Sequence, residues 1–222
     1  MPQIFPKSAN KLPLITLVAV LVLGGALTGF FWYFASPKFT DVGYRPKQPI
    51  PYSHKLHAGD LGMDCRYCHV GVEKSATAMI PPTATCMNCH NLILPQSEKL
   101  LPLRESWTNG TPIEWVKVHK TPDYAYFNHS IHVNRGIGCE SCHGNVAQME
   151  VVEQKQPLSM GWCLDCHRNP DMYLRDLNKV KVTDMDWTPP KDQLAFAEKI
   201  KKEKRIAPPE DCSACHRSTK KI

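Results

Sequence analysis

Five short runs in the sequence repeat one chemistry-bearing pattern. They are Cys65-Arg-Tyr-Cys68-His69, Cys86-Met-Asn-Cys89-His90, Cys139-Glu-Ser-Cys142-His143, Cys163-Leu-Asp-Cys166-His167 and Cys212-Ser-Ala-Cys215-His216. All ten cysteines of the chain fall in them. Cys-x-x-Cys-His is the spacing of covalent c-type haem attachment. Two thiols form thioethers with the vinyl groups of one macrocycle, and the imidazole that follows becomes an axial ligand of its iron. A lone Cys-x-x-Cys also suits half a zinc ribbon or a redox pair. Ten cysteines outside the cytoplasm also suit five disulfides. The histidines decide. His is 10 of 222 residues, so five chance placements behind Cys-x-x-Cys have odds of about two in ten million by composition, and neither zinc ribbons nor disulfides require that His. The reading is five covalently bound haem c groups, with His69, His90, His143, His167 and His216 as proximal ligands.

Five histidines remain for the five distal positions: His54, His57, His119, His129 and His132. Four of them form two His-x-x-His runs, and residues at i and i+3 share a helical face. Each run can therefore serve two neighbouring haems. His119 stands alone between Val118 and Lys120. The competing ligand is a thioether, which raises the reduction potential relative to a second imidazole. Met160, three residues before Cys163, is the lesser candidate; Met63, Met79 and Met172 read as packing residues. With a partner for every iron, no catalytic residue is assigned, and the chain reads as an electron carrier rather than an enzyme on its own.

The elements that position these groups have to be small. Residues 38–222 supply 37 residues per motif, too few for a conventional core around each. Pro at 19 against Gly at 12 predicts many turns. The expected fold is mostly irregular with short α-helices around a haem-packed core, a multihaem cytochrome c fold, preceded by one transmembrane helix. A repeat is visible. Tyr52-Ser53-His54-Lys55-Leu56-His57 precedes Cys65, and Phe127-Asn128-His129-Ser130-Ile131-His132 precedes Cys139. Two diheme halves, about 50–95 and 125–170, are expected, with a fifth site near 212–216. The insert from Asn91 to Asp123 reads as a connecting surface loop.

Residues 12–37 carry no charge and are long enough to span a bilayer. The apolar stretch exceeds that of a cleavable signal, and Trp32 and Tyr33 suit the membrane interface. An uncleaved anchor is expected over 12–37, the alternative being a signal peptide cut near Ala35. Flanking charges orient it poorly, because Lys7 and Lys11 precede it while Lys38, Arg45 and Lys47 follow. Haem attachment outside the cytoplasm settles the side: residues 1–11 cytoplasmic, residues 38–222 periplasmic or its equivalent. The formal charge of +6 falls to about +1 once haem propionates and ferric irons are counted, so a nucleic-acid partner is excluded. The basic run from Lys199 to Arg205 reads as a solvated helix face, with docking of an acidic partner as the alternative.

The run from Phe127 to His132, followed by Gly138-Cys139-Glu140-Ser141-Cys142-His143-Gly144, resembles class III multihaem cytochromes. Met160-Gly161-Trp162-Cys163-Leu164-Asp165-Cys166-His167-Arg168 is similar to membrane-bound relatives of that class. With one span and five motifs, the chain resembles the pentahaem cytochrome subunit (ActA-like) of alternative complex III. The resemblance implies transfer of electrons from menaquinol toward a periplasmic carrier or a terminal oxidase. It also implies the partners: an iron–sulfur subunit related to molybdopterin oxidoreductases, polytopic quinol-binding subunits and a monohaem cytochrome c. Two other classes stand beside it, a tetrahaem quinol dehydrogenase of the NapC/NrfH type and a multihaem reductase with an open catalytic iron.

Overall fold

The computed structural model describes residues 4–216. Among the described residues there are helices, turns and irregular segments but no strand. The one sheet-like contact is an isolated antiparallel bridge between Ile137 and Leu174. The chain divides into two compact units between Asp41 and Val42.

The first unit is built on α1 (Leu12–Phe34), entered through a 3-10 turn at Lys7–Lys11. Its 23 residues extend about 34 Å at the helical rise, longer than the roughly 30 Å hydrocarbon layer of a bilayer. Pro13 is tolerated because the amides of a first turn have no intrahelical partner. No residue of α1 is buried, and its Leu, Val and Phe side chains are exposed around the whole circumference. A helix apolar on every side needs apolar surroundings, and α1 is long and apolar enough to cross a membrane. A single turn, α2 (Pro37–Thr40), then folds Phe39 onto Phe34, with ring centroids 4.6 Å apart.

The second unit consists of short helices. After a π-helical turn at Lys55–Asp60 come α3 (Cys65–Cys68), α4 (Thr83–His90), α5 (Leu101–Asn109), α6 (His129–Asn134) and α7 (Cys139–His143). They are followed by α8 (Met160–Arg168), α9 (Gln193–Glu203) and α10 (Cys212–Cys215). Helices below about 12 residues are marginal alone, so caps and tertiary bonds must hold them. Asp64 accepts from the amide of Arg66, Asn128 from those of Ser130 and Ile131, Ser159 from Trp162 and Asp211 from Ala214. Each satisfies first-turn donors that would otherwise stay unpaired.

The segment 91–123, marked by its sequence as a surface loop, instead forms α5 and packs it on α4. Leu103 and Ser106 are buried. The Ser106 hydroxyl donates to the Thr111 carbonyl at 2.6 Å and accepts from the Thr83 hydroxyl at 2.7 Å. The signals for this helix were present: Pro102 in the first turn, and Gly110 at the C-cap with φ +66°, the usual Pro-start, Gly-end asymmetry. The basic run on α9 is largely neutralised where it stands. Lys199 pairs with Glu203, Lys202 with Glu198 and Lys201 with Asp171, as expected of a solvated helix face.

The apolar core is small. Leu174, Ala197 and Ile200 form it, with Ile137, Phe196 and Ile206 packed around. Buried polar groups do much of the joining. The amide of Gln193 donates to the carbonyls of Asp171 and Leu174 at 2.6 and 2.7 Å. The Arg175 side chain is fully buried. Its guanidinium donates to the carbonyls of Lys181 and Asp184 at 3.0 and 2.8 Å, pairs with Glu140 and lies 4.6 Å from the Trp187 ring. Gly138 leaves the guanidinium its place, since a Cβ there would strike it. Glu140 sits within α7, between Cys139 and Cys142, so Arg175 fastens that motif to the segment 174–187. Replacing Arg175→Met leaves Glu140 half of a broken buried pair. The expected loss is about 3 kcal/mol or more, read as a lower urea midpoint of the haem-loaded protein.

Candidate haem sites

Three pairs of imidazole rings stand at nearly one spacing. The ring centroids of His57 and His90 are 6.2 Å apart, those of His129 and His143 6.3 Å, and those of His132 and His167 6.1 Å. The His129 and His143 rings are parallel to within 7°, yet parallel rings in contact would sit about 3.5–4 Å apart. Two imidazoles bound on opposite sides of one metal, at the usual nitrogen distance of about 2.0–2.1 Å, place their centroids about 6.2 Å apart. In every pair one ring follows a Cys-x-x-Cys and the other belongs to a His-x-x-His run.

The rings are aimed by backbone carbonyls. Nδ1 of His57 meets the Ser53 carbonyl at 2.8 Å, that of His132 meets Asn128 at 2.8 Å, and that of His129 meets Ala76 at 2.9 Å. Among the motif histidines, His69 meets Met79 at 2.7 Å, His90 meets Ile93 at 3.0 Å, His167 meets Pro209 at 2.6 Å and His216 meets Tyr124 at 3.1 Å. A carbonyl can only accept, so each Nδ1 carries the proton and donates it. The lone pair is left on Nε2, the arrangement by which an outer partner orients a metal-binding imidazole. These acceptors leave no mark in the sequence, because a backbone carbonyl has no residue type.

The two His-x-x-His runs are positioned alike. Tyr52 stacks on His57 at 4.4 Å and meets His54 edge-on at 4.8 Å. Phe127 stacks on His132 at 4.5 Å and meets His129 edge-on at 4.8 Å. The aromatic residue two positions ahead of each run thus splays its two imidazoles apart. The second run lies on α6, whereas His57 falls in the π-helical turn and His54 just before it. The α6 run is docked on the loop after the first motif, where the amides of Ser130 and His129 donate to the carbonyls of Ser75 and Ala76, both at 3.1 Å.

Burial sets the protonation of several of these groups. It lowers His54 and His119 to about 4 and His143 to about 3, and neighbouring imidazoles push each further the same way. His132 is lowered for the same first reason. Neutral imidazole is the form a metal binds. Burial also raises the Cys139 and Cys142 thiols to about 12. All ten cysteines are free of disulfides. Among the described residues no cluster of three or more His, Cys, Asp or Glu side chains could hold a bare ion. Paired thiols beside imidazoles that face each other across a metal's width fit haem.

The remaining candidates stand differently. After burial, the His69 imidazole is the first of the groups that hold the His54 pKa down. Nδ1 of His54 is buried without a hydrogen-bond partner. His119 lies edge-on to His143 at 4.3 Å, and its Nε2 is buried and unpartnered. Met160 begins α8 and is 63% exposed. Met79 and Met172, expected to pack, are about half exposed; Met79 contributes its carbonyl instead. A cavity of about 470 Å³ opens beside Cys65, lined also by Met63, Lys181 and Thr183.

A family model described as "Outer membrane cytochrome MtrC/MtrF-like, domains II/IV" matches residues 61–222. The chain belongs to this family of multihaem cytochromes c. It is also 29% identical over 176 residues to the multiheme cytochrome c subunit of menaquinone reductase from Nitratidesulfovibrio vulgaris, covering 70% of this chain and 79% of the relative. Covalently bound haem c follows from the family.

His132→Ala removes the ring that faces His167. In the haem-loaded cytochrome, carbon monoxide should then perturb the reduced Soret band by about one haem's share more than in the parent, and added imidazole should reverse the change. An unchanged spectrum would mean that this pair does not share an iron.

Proposed function

We propose that the chain is a membrane-anchored pentahaem electron-transfer subunit of a respiratory complex that exchanges electrons with menaquinone. Five haem c groups are held by the five cysteine pairs, with His69, His90, His143, His167 and His216 on one side of each iron. His54, His57, His129 and His132 stand on the far side of four of them. The observation that carries this reading is the 6.1–6.3 Å spacing of three imidazole pairs in a chain of multihaem cytochrome type. Bound haem supplies reversible one-electron transfer, and the chain's own residues fix the ligands, the tautomers and the burial.

The recurring geometry of Tyr52 with its two histidines, and of Phe127 with its two, supports two diheme halves and an appended fifth site. α1 is the anchor, with the haem unit on the periplasmic face, where c-type attachment takes place. The motifs favour the pentahaem subunit of alternative complex III, which takes electrons from an iron–sulfur subunit beside polytopic quinol-binding subunits and delivers them to a monohaem cytochrome c or an oxidase. The name of the Nitratidesulfovibrio relative, a menaquinone reductase subunit, favours a second reading with the direction of flow reversed.

Two measurements test this. A pyridine haemochrome assay should count five haems per chain, and removing the residues before Lys38 should release a soluble cytochrome with the same count. In membranes containing the intact complex, a menaquinol analogue should reduce the haems within the turnover time. If the haems are instead reduced only by a periplasmic donor, and menaquinone drains them, flow runs the other way.

A further inference from the structure

Each half of the haem unit carries one His-x-x-His run and two motifs, and the hydrogen bonds show how the halves meet. Each run docks on the stretch that follows the first motif of the other half. The Ser130 amide, one residue into the second run, donates to the Ser75 carbonyl at 3.1 Å, and Ser75 lies six residues beyond His69. The Lys55 amide, one residue into the first run, donates to the Met149 carbonyl at 3.0 Å, and Met149 lies six residues beyond His143. The two bonds are one bond made twice with the halves exchanged. A contact that repeats with its partners swapped marks a two-fold, head-to-head arrangement rather than a head-to-tail one.

Head-to-head contact brings the first motif of each half to the joint, and other bonds agree. The Asp64 carboxylate, which caps the helix of the first motif, accepts from the Thr183 hydroxyl at 3.2 Å. The carbonyl of the adjoining Val182 accepts from the amide of Cys139, in the third motif, at 3.2 Å. One loop aims a ring on each side of the joint, His69 through the Met79 carbonyl and His129 through that of Ala76. The second motif touches the first. The Asn88 side chain donates to the Tyr67 hydroxyl at 3.2 Å, and each of these residues stands between the two cysteines of its motif. The fourth motif shares the second run with the third, since His129 faces His143 and His132 faces His167. The fifth adjoins the fourth on both sides of that last pair. Pro209 accepts from His167, and the Cys215 carbonyl accepts from Tyr126, whose neighbour Phe127 stacks on His132.

We propose that electrons pass through the chain in the order second, first, third, fourth, fifth motif, with the haems of the first and third motifs adjoining across the joint between the halves. This rests on the pentahaem reading. Each step moves one electron from a ferrous iron to the ferric iron beside it. Of the ten cysteines, Cys89 and Cys212 are the exposed ones. They belong to the second and fifth motifs, so the route ends where partners can reach it.

The test is proton NOE spectroscopy of the full chain in detergent, first shown to hold five haems by pyridine haemochrome. Dithionite under carbon monoxide keeps every iron low-spin and diamagnetic, including any that lacks a sixth ligand. Each haem is assigned to its motif through the β-protons of its cysteines. The haem of the first motif should give cross-peaks to those of the second and third, and the haem of the second motif to the first alone. In His57→Ala, carbon monoxide takes the place opposite His90 and should shift the signals of the first motif's haem more than those of the third's. Cross-peaks between the second and third motifs' haems, or none between the first and third, overturn the order. The parent spectrum decides this even where the variant does not fold. A parent with other than five haems overturns the pentahaem reading instead.

Discussion

Imidazole rings about 6 Å apart make little contact, so something behind them has to hold them there. In this protein it is a backbone carbonyl, found behind the rings of His57, His90, His129, His132 and His167. The Nδ1–H bond fixes the tautomer and removes the last rotation of the side chain, and Nε2 is left pointing forward. Backbone geometry is bent to supply these carbonyls. Met79 adopts φ +66° and turns its oxygen to His69, while Leu94, just after the acceptor of His90, adopts φ +53°. Left-handed backbone at such residues costs about 1–2 kcal/mol each, a cost that ring placement makes understandable.

The same constraint explains why so little of the chain resembles an ordinary domain. The helices α3, α7 and α10 end almost as soon as they have carried their two cysteines. The apolar core around Leu174 and Ala197 contains none of the motif cysteines or histidines. What joins the parts is polar: Gln193 between two carbonyls, Arg175 between three carbonyls, Glu140 and Trp187. A buried ion pair adds little net stability, but its geometry is strict. Here it fastens the helix that carries Cys139 and His143. Under the pentahaem reading the macrocycles provide the apolar interior that the side chains lack.

The motifs and the apolar α1 were legible because each is local. Cys-x-x-Cys-His needs five consecutive residues, and a membrane-length helix needs only its own composition. The pairing of rings was not legible, because it joins residues far apart in sequence, such as His57 with His90. Nor were the acceptors, since Pro209 and Tyr124 contribute oxygens any residue possesses. The helix α5 could have been read from Pro102 and Gly110, but its few apolar residues gave weak periodicity beside those end signals. Arg175 looks like a surface cation in sequence. Only its convergence with Glu140, Trp187 and three distant carbonyls makes it internal.

The fifth motif lies outside the logic of the other four. It has no His-x-x-His run of its own. It is fastened instead to the segment just ahead of the second run, where the Tyr126 amide donates to the Cys215 carbonyl at 2.8 Å and Nδ1 of His216 donates to the Tyr124 carbonyl at 3.1 Å. Its ring is therefore aimed by the same carbonyl device as the others, and a second tie, from His167 and Arg168 to Pro209 and Glu210, holds the chain just before Cys212 against α8. A motif without a local run thus takes its placement wholly from contacts distant in sequence, which is why its five residues alone say so little about it.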